Sequence, residues 1–337
     1  MRIVVVTPAC PHPFGDTAAR WFYVLVRELV RRGNQVSVLT ATEEPPQRIA
    51  DSRQALAAMS GRHTPDVCIR PLHISGLSVA RKLRSFRRPF SEMLQADGFE
   101  ALVRERLAGR YDVLHLEQLW TGWVGLGFAR ALLNVHHLEI IDREFDRPCS
   151  IREKKALWQM RRATKRILAG SSSVRVFSDR LASRARQINS GARYWTVPFA
   201  LDLSHYRFLQ PAQTPTIGLI GSMHWPPSRG AAERLITRIW PIIRSELPSA
   251  RLLVGGWNAD RYLAHHRDVA GLELRPNVAH AEDFFGDVGV MLYTPDRGSG
   301  MKIKVMSNGR VFAEIVLGTP QLRPPSYELL KTIALAA

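Results

Sequence analysis

The sequence predicts an α/β protein built from two doubly wound, parallel-sheet domains in tandem. Short β-branched runs, such as those at residues 2–6 and 35–40, are typical of parallel strands that are buried on both faces. Amphipathic helical stretches alternate with these runs, which is the pattern of β-α-β units. The length of 337 residues exceeds what one core usually serves, so two domains of ordinary size are expected.

The predicted elements of the first domain begin at the N-terminus. A buried strand over residues 2–6 leads through a Pro/Gly loop into an amphipathic helix over residues 17–32, which Gly33 and Asn34 should terminate. A second strand over residues 35–40 completes a β-α-β unit, and the crossover rule makes the two strands parallel. Further strands are predicted over residues 112–116, 131–135, 173–177 and 194–198. The pattern between residues 48 and 99 predicts no particular element.

The second domain follows a linker at residues 210–215, which contains Pro211 and Pro215. Its strands are predicted over residues 216–222, 250–256, 272–275 and 288–292, with a helix over residues 230–245. We therefore predict an N-terminal domain over residues 1–210 and a C-terminal domain over residues 211–337. Ligands of doubly wound sheets bind outside the carboxyl ends of the strands, so the loops after the strands are the candidate sites.

Loops that join a predicted strand to a helix through small residues are candidate phosphate sites. Small residues expose backbone N–H groups, and the positive end of the following helix attracts an anion. The loop that ends at Gly15 and the turn at Gly221 and Ser222 both have this form. An ordinary βα loop without a ligand is the alternative interpretation of each, and neither contains the G-x-G-x-x-G fingerprint of dinucleotide binding.

A stretch over residues 295–304 combines small residues with cations. Ser299 and Gly300 expose the backbone, while Lys302 and Lys304 supply the positive charge that a diphosphate requires. Arg310 follows in the same part of the chain. Glu314 comes one or two helical turns later, where a carboxylate can accept hydrogen bonds from a ribose diol. We expect these residues to bind a nucleotide, and a solvated basic turn is the alternative.

Two histidines and a carboxylate follow the predicted strand over residues 131–135. His136, His137 and Glu139 at a strand's carboxyl end suit acid–base catalysis or the binding of a substrate hydroxyl, and a purely structural role is the alternative. His115 is a third histidine of this kind. The spacing does not place two histidines one turn apart on a helix, so no metal site is predicted.

The charge balance is unusual, with 47 basic and 30 acidic residues and a formal net charge of +17. Such an excess predicts an anionic partner. Two basic blocks stand out, at residues 81–88 and 151–168, and the second has the periodicity of an amphipathic helix. An acidic membrane surface and a merely solvated helix face are both open interpretations. No nucleic-acid-binding motif accompanies the charge, so we expect no nucleic-acid partner.

The remaining composition excludes several classes of protein. Cys10, Cys68 and Cys149 have the spacing of neither a disulfide framework nor a zinc set, so a reducing, cytoplasmic compartment is expected. The apolar runs are far shorter than the roughly 20 residues that a membrane-spanning helix needs. The first apolar run also stops too early for a signal peptide, at Thr7 and Pro8.

Taken in order, these segments resemble the GT-B glycosyltransferases, in particular the large family 4 of retaining enzymes that use nucleotide sugars. The first domain resembles that family at its N-terminal strand and loop and at residues 113–115, 178–179, 197–198 and 201–202. The second domain does so at residues 220–223, 225–227, 254–256 and 298–304.

The resemblance implies two Rossmann-like domains, with a nucleotide-sugar pocket in the second and an acceptor surface on the first. Lys302 or Lys304 would neutralise the departing diphosphate, Glu314 would hold the ribose, and the His136 loop would lie near the transferred sugar. It also implies a retaining, metal-independent transfer without a further cofactor. The acceptor would be a lipid-linked, polysaccharide or other hydroxyl group, with the enzyme peripheral at the inner face of the plasma membrane.

The sequence differs from the family 4 pattern in three ways, and these differences support an alternative to the glycosyltransferase function. Ser299 and Ser307 stand where the family usually has two glutamates, and Phe199 stands where it has an asparagine. The second domain is also expected to be shortened, because the family continues for several more strands and helices after the segment that corresponds to Gly318, Thr319 and Pro320, and here only residues 321–337 follow it. An uncovered sheet edge there would favour a homo-oligomer. The alternative is therefore a catalytically inactive GT-B-like binding or assembly protein.

Overall fold

The computed structural model describes residues 1–14, 17–59, 61–73, 79–143, 150–198, 215–278 and 281–294. These residues form two compact units. Unit 1 contains the described residues up to 198, and unit 2 contains those from 215 to 294. The predicted boundary between residues 210 and 211 lies outside the described residues and stays a prediction.

Unit 1 is built around a sheet whose strands, within the described residues, are all parallel. The strands are β1 (Arg2–Thr7), β2 (Gln35–Thr42), β3 (Asp66–Pro71), β4 (Val113–Glu117), β5 (Ala131–Val135), β6 (Ser173–Val176) and β7 (Arg193–Thr196). Their spatial order is β3-β2-β1-β4-β5-β6-β7. The order reverses direction between β1 and β4, and this switch point is where doubly wound sheets bind ligands.

The helices of unit 1 connect these strands. They are α1 (Thr17–Arg31), α2 (Pro46–Ala57), α3 (Val79–Arg87), α4 (Glu92–Gln95), α5 (Phe99–Ala108), α6 (Gly122–Gly125), α7 (Glu139–Asp142), α8 (Ile151–Ala169) and α9 (Asp179–Ile188). The stretch between residues 48 and 99, which predicted no element, contains most of α2 together with β3, α3 and α4. No helix in the described ranges is both long and apolar enough to cross a bilayer.

The predicted end of α1 is confirmed. Gly33 has a φ of +79°, and its N–H donates to the carbonyl oxygen of Val30 at 2.9 Å. The N–H of Asn34 donates to the carbonyl of Leu29 at 3.2 Å. A residue in the left-handed region lets the chain reverse while the last carbonyls of the helix keep donors.

Both faces of the unit 1 sheet are buried, as the β-branched runs predict. On one face Val4 and Val6 of β1 pack in the same cluster as Leu116 of β4 and the apolar side of α8. On the other face Ile3 and Val5 pack with β2 and α1. Successive residues of a strand point to opposite faces, so each strand contributes to both layers.

Unit 2 has a smaller parallel sheet in the order β10-β9-β8-β11. Its strands are β8 (Thr216–Ile220), β9 (Arg251–Gly256), β10 (Leu272–Pro276) and β11 (Val290–Met291), and its helices are α10 (Pro226–Arg234), α11 (Trp240–Glu246), α12 (Ala259–Tyr262) and α13 (Ala281–Gly286). A π-helical turn over Leu235–Ile239 joins α10 to α11. The first helix begins earlier than predicted, because the fixed φ of proline suits a first helical turn.

Two glycines hold the ends of β8 and β9 close together in unit 2. Gly256 has a φ of +116°, and a Cβ built on it would lie 2.1 Å from the carbonyl oxygen of Gly221. The N–H of Gly221 in turn donates to the carbonyl of Gly255 at 3.0 Å. Only glycine combines this conformation with so short an approach.

We expect Gly256→Ala to destabilise unit 2 by about 2 kcal/mol or more, because a positive φ costs an L-residue about 1–2 kcal/mol and the new methyl group must also displace a backbone oxygen. Urea unfolding followed by circular dichroism measures the loss. Gly286→Ala is the matched control, since no atom lies within 4 Å of its Cβ position. Equal stability of the two variants would contradict the close approach.

Candidate active site

A row of polar side chains crosses the carboxyl end of the unit 1 sheet. The strand register pairs Glu117 of β4 with Asn134 of β5, and Asn134 with Arg175 of β6. In-register neighbours share one face of a sheet, and side chains two residues apart on a strand share it too. His115 and His136 therefore lie on the same face as Glu117. The apolar neighbours in between, Leu114, Leu116, Leu133, Val135, Val174 and Val176, belong to the core on the opposite face.

The centre of this row is the fully buried carboxylate of Glu117. Its Oε1 contacts His115 Nε2 at 2.6 Å and accepts from Asn134 Nδ2 at 2.7 Å. Its Oε2 contacts His136 Nε2 at 2.6 Å and accepts from Trp21 Nε1 of α1 at 2.9 Å. A carboxylate has about four acceptor positions, so these partners satisfy it.

The surroundings of Glu117 hold it in the ionised form. Burial alone would raise its pKa, but the hydrogen bonds and charges of His115 and His136 outweigh burial and hold the pKa well below its usual range. An ionised carboxylate only accepts hydrogen bonds, so both histidines donate to it from Nε2. In a neutral ring, Nδ1 is then the nitrogen that remains to accept a hydrogen bond.

Arg175 places a cation beside this network. Its guanidinium carbon lies 4.5 Å from the ring centroid of Trp21 and 5.1 Å from that of Phe177. Its Nη2 donates to the carbonyl oxygens of Val197 and Pro198, at 3.3 and 3.1 Å, and so ties down the chain after β7. Burial lowers the pKa of Arg175 and the charge of Glu117 raises it, but a guanidinium stays protonated in either case.

The predicted residues His136, His137 and Glu139 lie together after β5, but they have different partners. His136 packs against Phe177 with ring centroids 4.8 Å apart, and its side chain is 11% exposed. His137 is half-buried. Glu139 begins α7 and accepts a hydrogen bond from Trp120 Nε1 at 3.3 Å. The carboxylate that holds His136 is therefore Glu117 of the neighbouring strand.

In unit 2 the predicted turn at Gly221 and Ser222 leads from β8 into α10. Ser222 is exposed, and its carbonyl oxygen accepts from the N–H of Trp225 at 3.2 Å. The N–H of Met223 donates to the carbonyl of Trp257 at 3.0 Å, which ties this turn to the loop after β9. The turn is thus held at the carboxyl edge of its sheet, directly before a helix N-terminus.

The other predicted donor residues lie outside the described part of the chain. They are Gly15, Ser299, Gly300, Lys302, Lys304, Arg310 and Glu314. Their roles stay predictions from the sequence and from its resemblance to the GT-B enzymes.

Four residues of this row and its surroundings are not predicted as site residues from the sequence: Trp21, Glu117, Asn134 and Arg175. A signal for three of them is present in the sequence as a polar residue alternating with an apolar one at the ends of neighbouring strands. It is His-Leu-Glu at residues 115–117, Asn-Val-His at residues 134–136 and Val-Arg-Val at residues 174–176. Alternation of this kind in a buried strand indicates that one face carries polar groups which need partners.

The two parallel-sheet units are Rossmann-like, and together with the similar solved structures they define this chain as a protein of the GT-B fold. Solved structures of this fold are similar over most of their length. HepE of Anabaena, in complex with UDP and glucose, is 14% identical, with 91% of this chain and 77% of that chain covered and a TM-score of 0.57.

Two further structures extend the likeness. The trehalose-6-phosphate synthase OtsA is 12% identical, with 91% of this chain and 81% of that chain covered and a TM-score of 0.55. TarM is 9% identical, with 99% of this chain and 91% of that chain covered and a TM-score of 0.60. No protein family and no curated protein matches the sequence itself.

We expect Glu117→Gln to destabilise unit 1 by about 3–5 kcal/mol near neutral pH, because it removes one member of a buried charged network. The depressed pKa of Glu117 gives a stabilisation that is fully present above the usual carboxyl pKa and is lost as the pH falls. The difference between the wild type and the variant should therefore shrink below about pH 4.3, by up to about 1.4 kcal/mol per pH unit.

Urea unfolding at a series of pH values between 7 and 3 measures this difference. Glu100→Gln is the matched control, since Glu100 is a partly exposed carboxylate that pairs with Arg104 along α5. It should change the stability by less than about 0.5 kcal/mol. A wild-type advantage over Glu117→Gln that stays constant down to pH 3 would show that Glu117 is not the buried anion.

Proposed function

We propose that this protein is a glycosyltransferase that moves a sugar from a nucleotide-sugar donor to a hydroxyl acceptor, with retention of configuration. The observation that carries the proposal is the GT-B fold, shared over 91% of the chain with HepE, which was solved with UDP and glucose. A second HepE structure holds UDP-glucose, and the E. coli trehalose-6-phosphate protein holds UDP-2-fluoro glucose.

The donor would bind to unit 2. The turn at Gly221 and Ser222 leads into the N-terminus of α10, whose partial positive charge suits a diphosphate. Lys302 and Lys304 would neutralise the charge that grows on the leaving nucleotide, and fixed cations of this kind supply much of the catalysis in such transfers. Glu314 would hold the ribose. We expect this chemistry to need no metal ion.

The transfer itself would use the polar edge of unit 1. Glu117 holds Nε2 of His136 at 2.6 Å and so fixes the orientation of the ring. In the neutral ring Nδ1 can then accept a hydrogen bond from a sugar hydroxyl. His137, which follows in the chain, would supply a second polar contact to the substrate. This division of roles makes Glu117 a positioning residue and His136 a residue that touches the substrate.

The acceptor would be lipid-linked or a polysaccharide, and the protein would meet it at an anionic membrane surface. Helix α3 supports this part of the proposal, because Val79, Leu83 and Phe86 recur at helical spacing and are all exposed. The same helix carries three arginines and a lysine. A short basic helix with an exposed apolar stripe is suited to the boundary between lipid headgroups and acyl chains.

Helix α8 adds a second basic surface. Its cations are exposed, and they are Arg152, Lys154, Lys155, Arg161, Arg162, Lys165 and Arg166. Trp158 is 52% exposed beside them, with the guanidinium of Arg162 5.4 Å from its ring centroid. Met160, Ala163, Ile167 and Leu168 of the same helix are buried. Each cation near an anionic surface contributes about 1 kcal/mol to binding.

We expect one family of nucleotide sugars to stabilise the purified protein and to be consumed by it. A donor at about 100 times its Kd should add about 2.7 kcal/mol of stability, and EDTA should leave that gain intact. A thermal-shift screen against UDP, GDP, dTDP and ADP conjugates, followed by an assay for released nucleotide diphosphate, measures both effects. Lys304→Ala should abolish the shift, while His136→Ala should keep it and lose turnover.

Arg238→Ser, which changes an exposed residue of unit 2, is the control for both variants. Donor binding without release of nucleotide, for the wild type and a range of acceptors, would favour a GT-B-like binding or assembly protein. The absence of any stabilising nucleotide sugar would contradict the donor site itself.

We also expect the protein to bind vesicles that contain an anionic lipid and not to bind neutral vesicles. Phe86→Ser should weaken this binding, because it removes an apolar side chain from the exposed stripe of α3. Ile242→Ser is the matched control, since Ile242 of α11 has the same 48% exposure as Phe86. Co-sedimentation with phosphatidylcholine vesicles, with and without phosphatidylglycerol, measures the difference. Equal losses for both variants would count against α3 as the docking helix.

A further inference from the structure

A compact group of potential metal ligands lies in unit 2, apart from the proposed donor turn in the sequence. Glu233 is near the end of α10, while His265 and His266 lie in the 3-10 turn Ala264–His266 that follows α12. His266 Nε2 lies 2.5 Å from Glu233 Oε2, and His265 Nε2 lies 3.3 Å from Glu233 Oε1. Among the described residues, these three side chains each offer one ligand atom, and the three atoms all lie within 4.8 Å of one another.

The arrangement is more than one histidine–carboxylate hydrogen bond. The two histidines are consecutive in the sequence, and their ring centroids are 4.0 Å apart. Nε2 of His265 faces Oε1 of Glu233, and Nε2 of His266 faces Oε2 of the same carboxylate. The His266 side chain is 13% exposed and that of Glu233 is 34% exposed, while His265 is 61% exposed. The group therefore has a sheltered side and an open side.

We propose that Glu233, His265 and His266 form a zinc(II) site with a fourth position open to solvent. Two imidazole nitrogens and a carboxylate oxygen are typical zinc ligands, at about 2.0–2.2 Å from the ion. Tetrahedral bonds of that length separate neighbouring ligand atoms by about 3.3 Å. One ligand atom from each of the three residues lies within 4.8 Å of the other two, so each separation must change by no more than about 1.5 Å for the three to bind one ion through a single carboxylate oxygen. Imidazole ligands disfavour Mg²⁺, which prefers oxygen.

The ion would join two segments of unit 2 that are distant in sequence. Glu233 lies in the last turn of the helix that begins after the turn at Gly221 and Ser222. The histidines follow Tyr262, whose hydroxyl lies 3.2 Å from Nδ1 of His224 in that same turn. Arg229 of α10 also lies 4.9 Å from the Tyr262 ring centroid. Zinc would therefore clamp α10 to the crossover after β9 and stabilise the region that carries the turn.

The test uses the full chain without a polyhistidine tag, stripped with EDTA and then dialysed. Calorimetric titration with zinc chloride should show one site, and titration with magnesium chloride should show none. Co²⁺ should give the visible absorption of a tetrahedral ion. His266→Ala and Glu233→Gln should each weaken zinc binding by at least about tenfold, since loss of even an outer hydrogen-bond partner of a ligand costs about 10- to 100-fold. Zinc should also raise the unfolding temperature of the wild type.

His265→Ala is the variant least able to disturb the fold, because its side chain is mostly exposed. It should also weaken zinc binding, while His63→Ala, at an exposed histidine of unit 1, should leave it unchanged. Wild-type affinity in His265→Ala and His266→Ala, or a wild type that binds no zinc at this stoichiometry, would overturn the proposal.

Discussion

The buried charge of Glu117 is the constraint on which the carboxyl edge of unit 1 depends. An unpaired buried carboxylate would cost several kcal/mol, so its partners must be present and correctly placed. Those partners come from three elements: Trp21 from α1, His115 from β4, and Asn134 and His136 from β5 and its end. One side chain therefore locks α1 and β5 to β4 beside the switch point of the sheet.

The strands of unit 1 use their two ends differently. Beneath α1 the paired residues Val5 and Val38 belong to an apolar layer. Thr7 and Thr40, two residues further along β1 and β2, are polar and bond to each other through their hydroxyl groups. The row of polar side chains continues through Glu117 of β4. Burial of the apolar layer stabilises the sheet, and this stability holds the polar row in place at the edge, where ligands of this fold bind.

The sequence was informative where structure depends on local patterns. The strands and the end of α1 follow from β-branched runs and from Gly33, whose conformational freedom is local. Helix α2 was not predicted, because it buries only Ile49, Ser52 and Leu56 and so has a weak apolar pattern. Strand β3 was not predicted, because it lies at the edge of the sheet and half of its residues are exposed. His136 was predicted from its immediate neighbours. Glu117 was not, because its role depends on the register between strands, which joins residues far apart in the chain.

The exposed cations of α8 lie on a different part of unit 1 from its buried network. Helix α8 alone carries seven cations and one carboxylate on its exposed surface. At physiological salt the field of an exposed charge is screened beyond about 8 Å, so these cations act on whatever contacts the helix. The centre of the polar edge in unit 1 is instead an anion whose partners hold it in place. The proposed docking to an anionic surface and the orientation of His136 would therefore be separate tasks, carried by separate residues of the same unit.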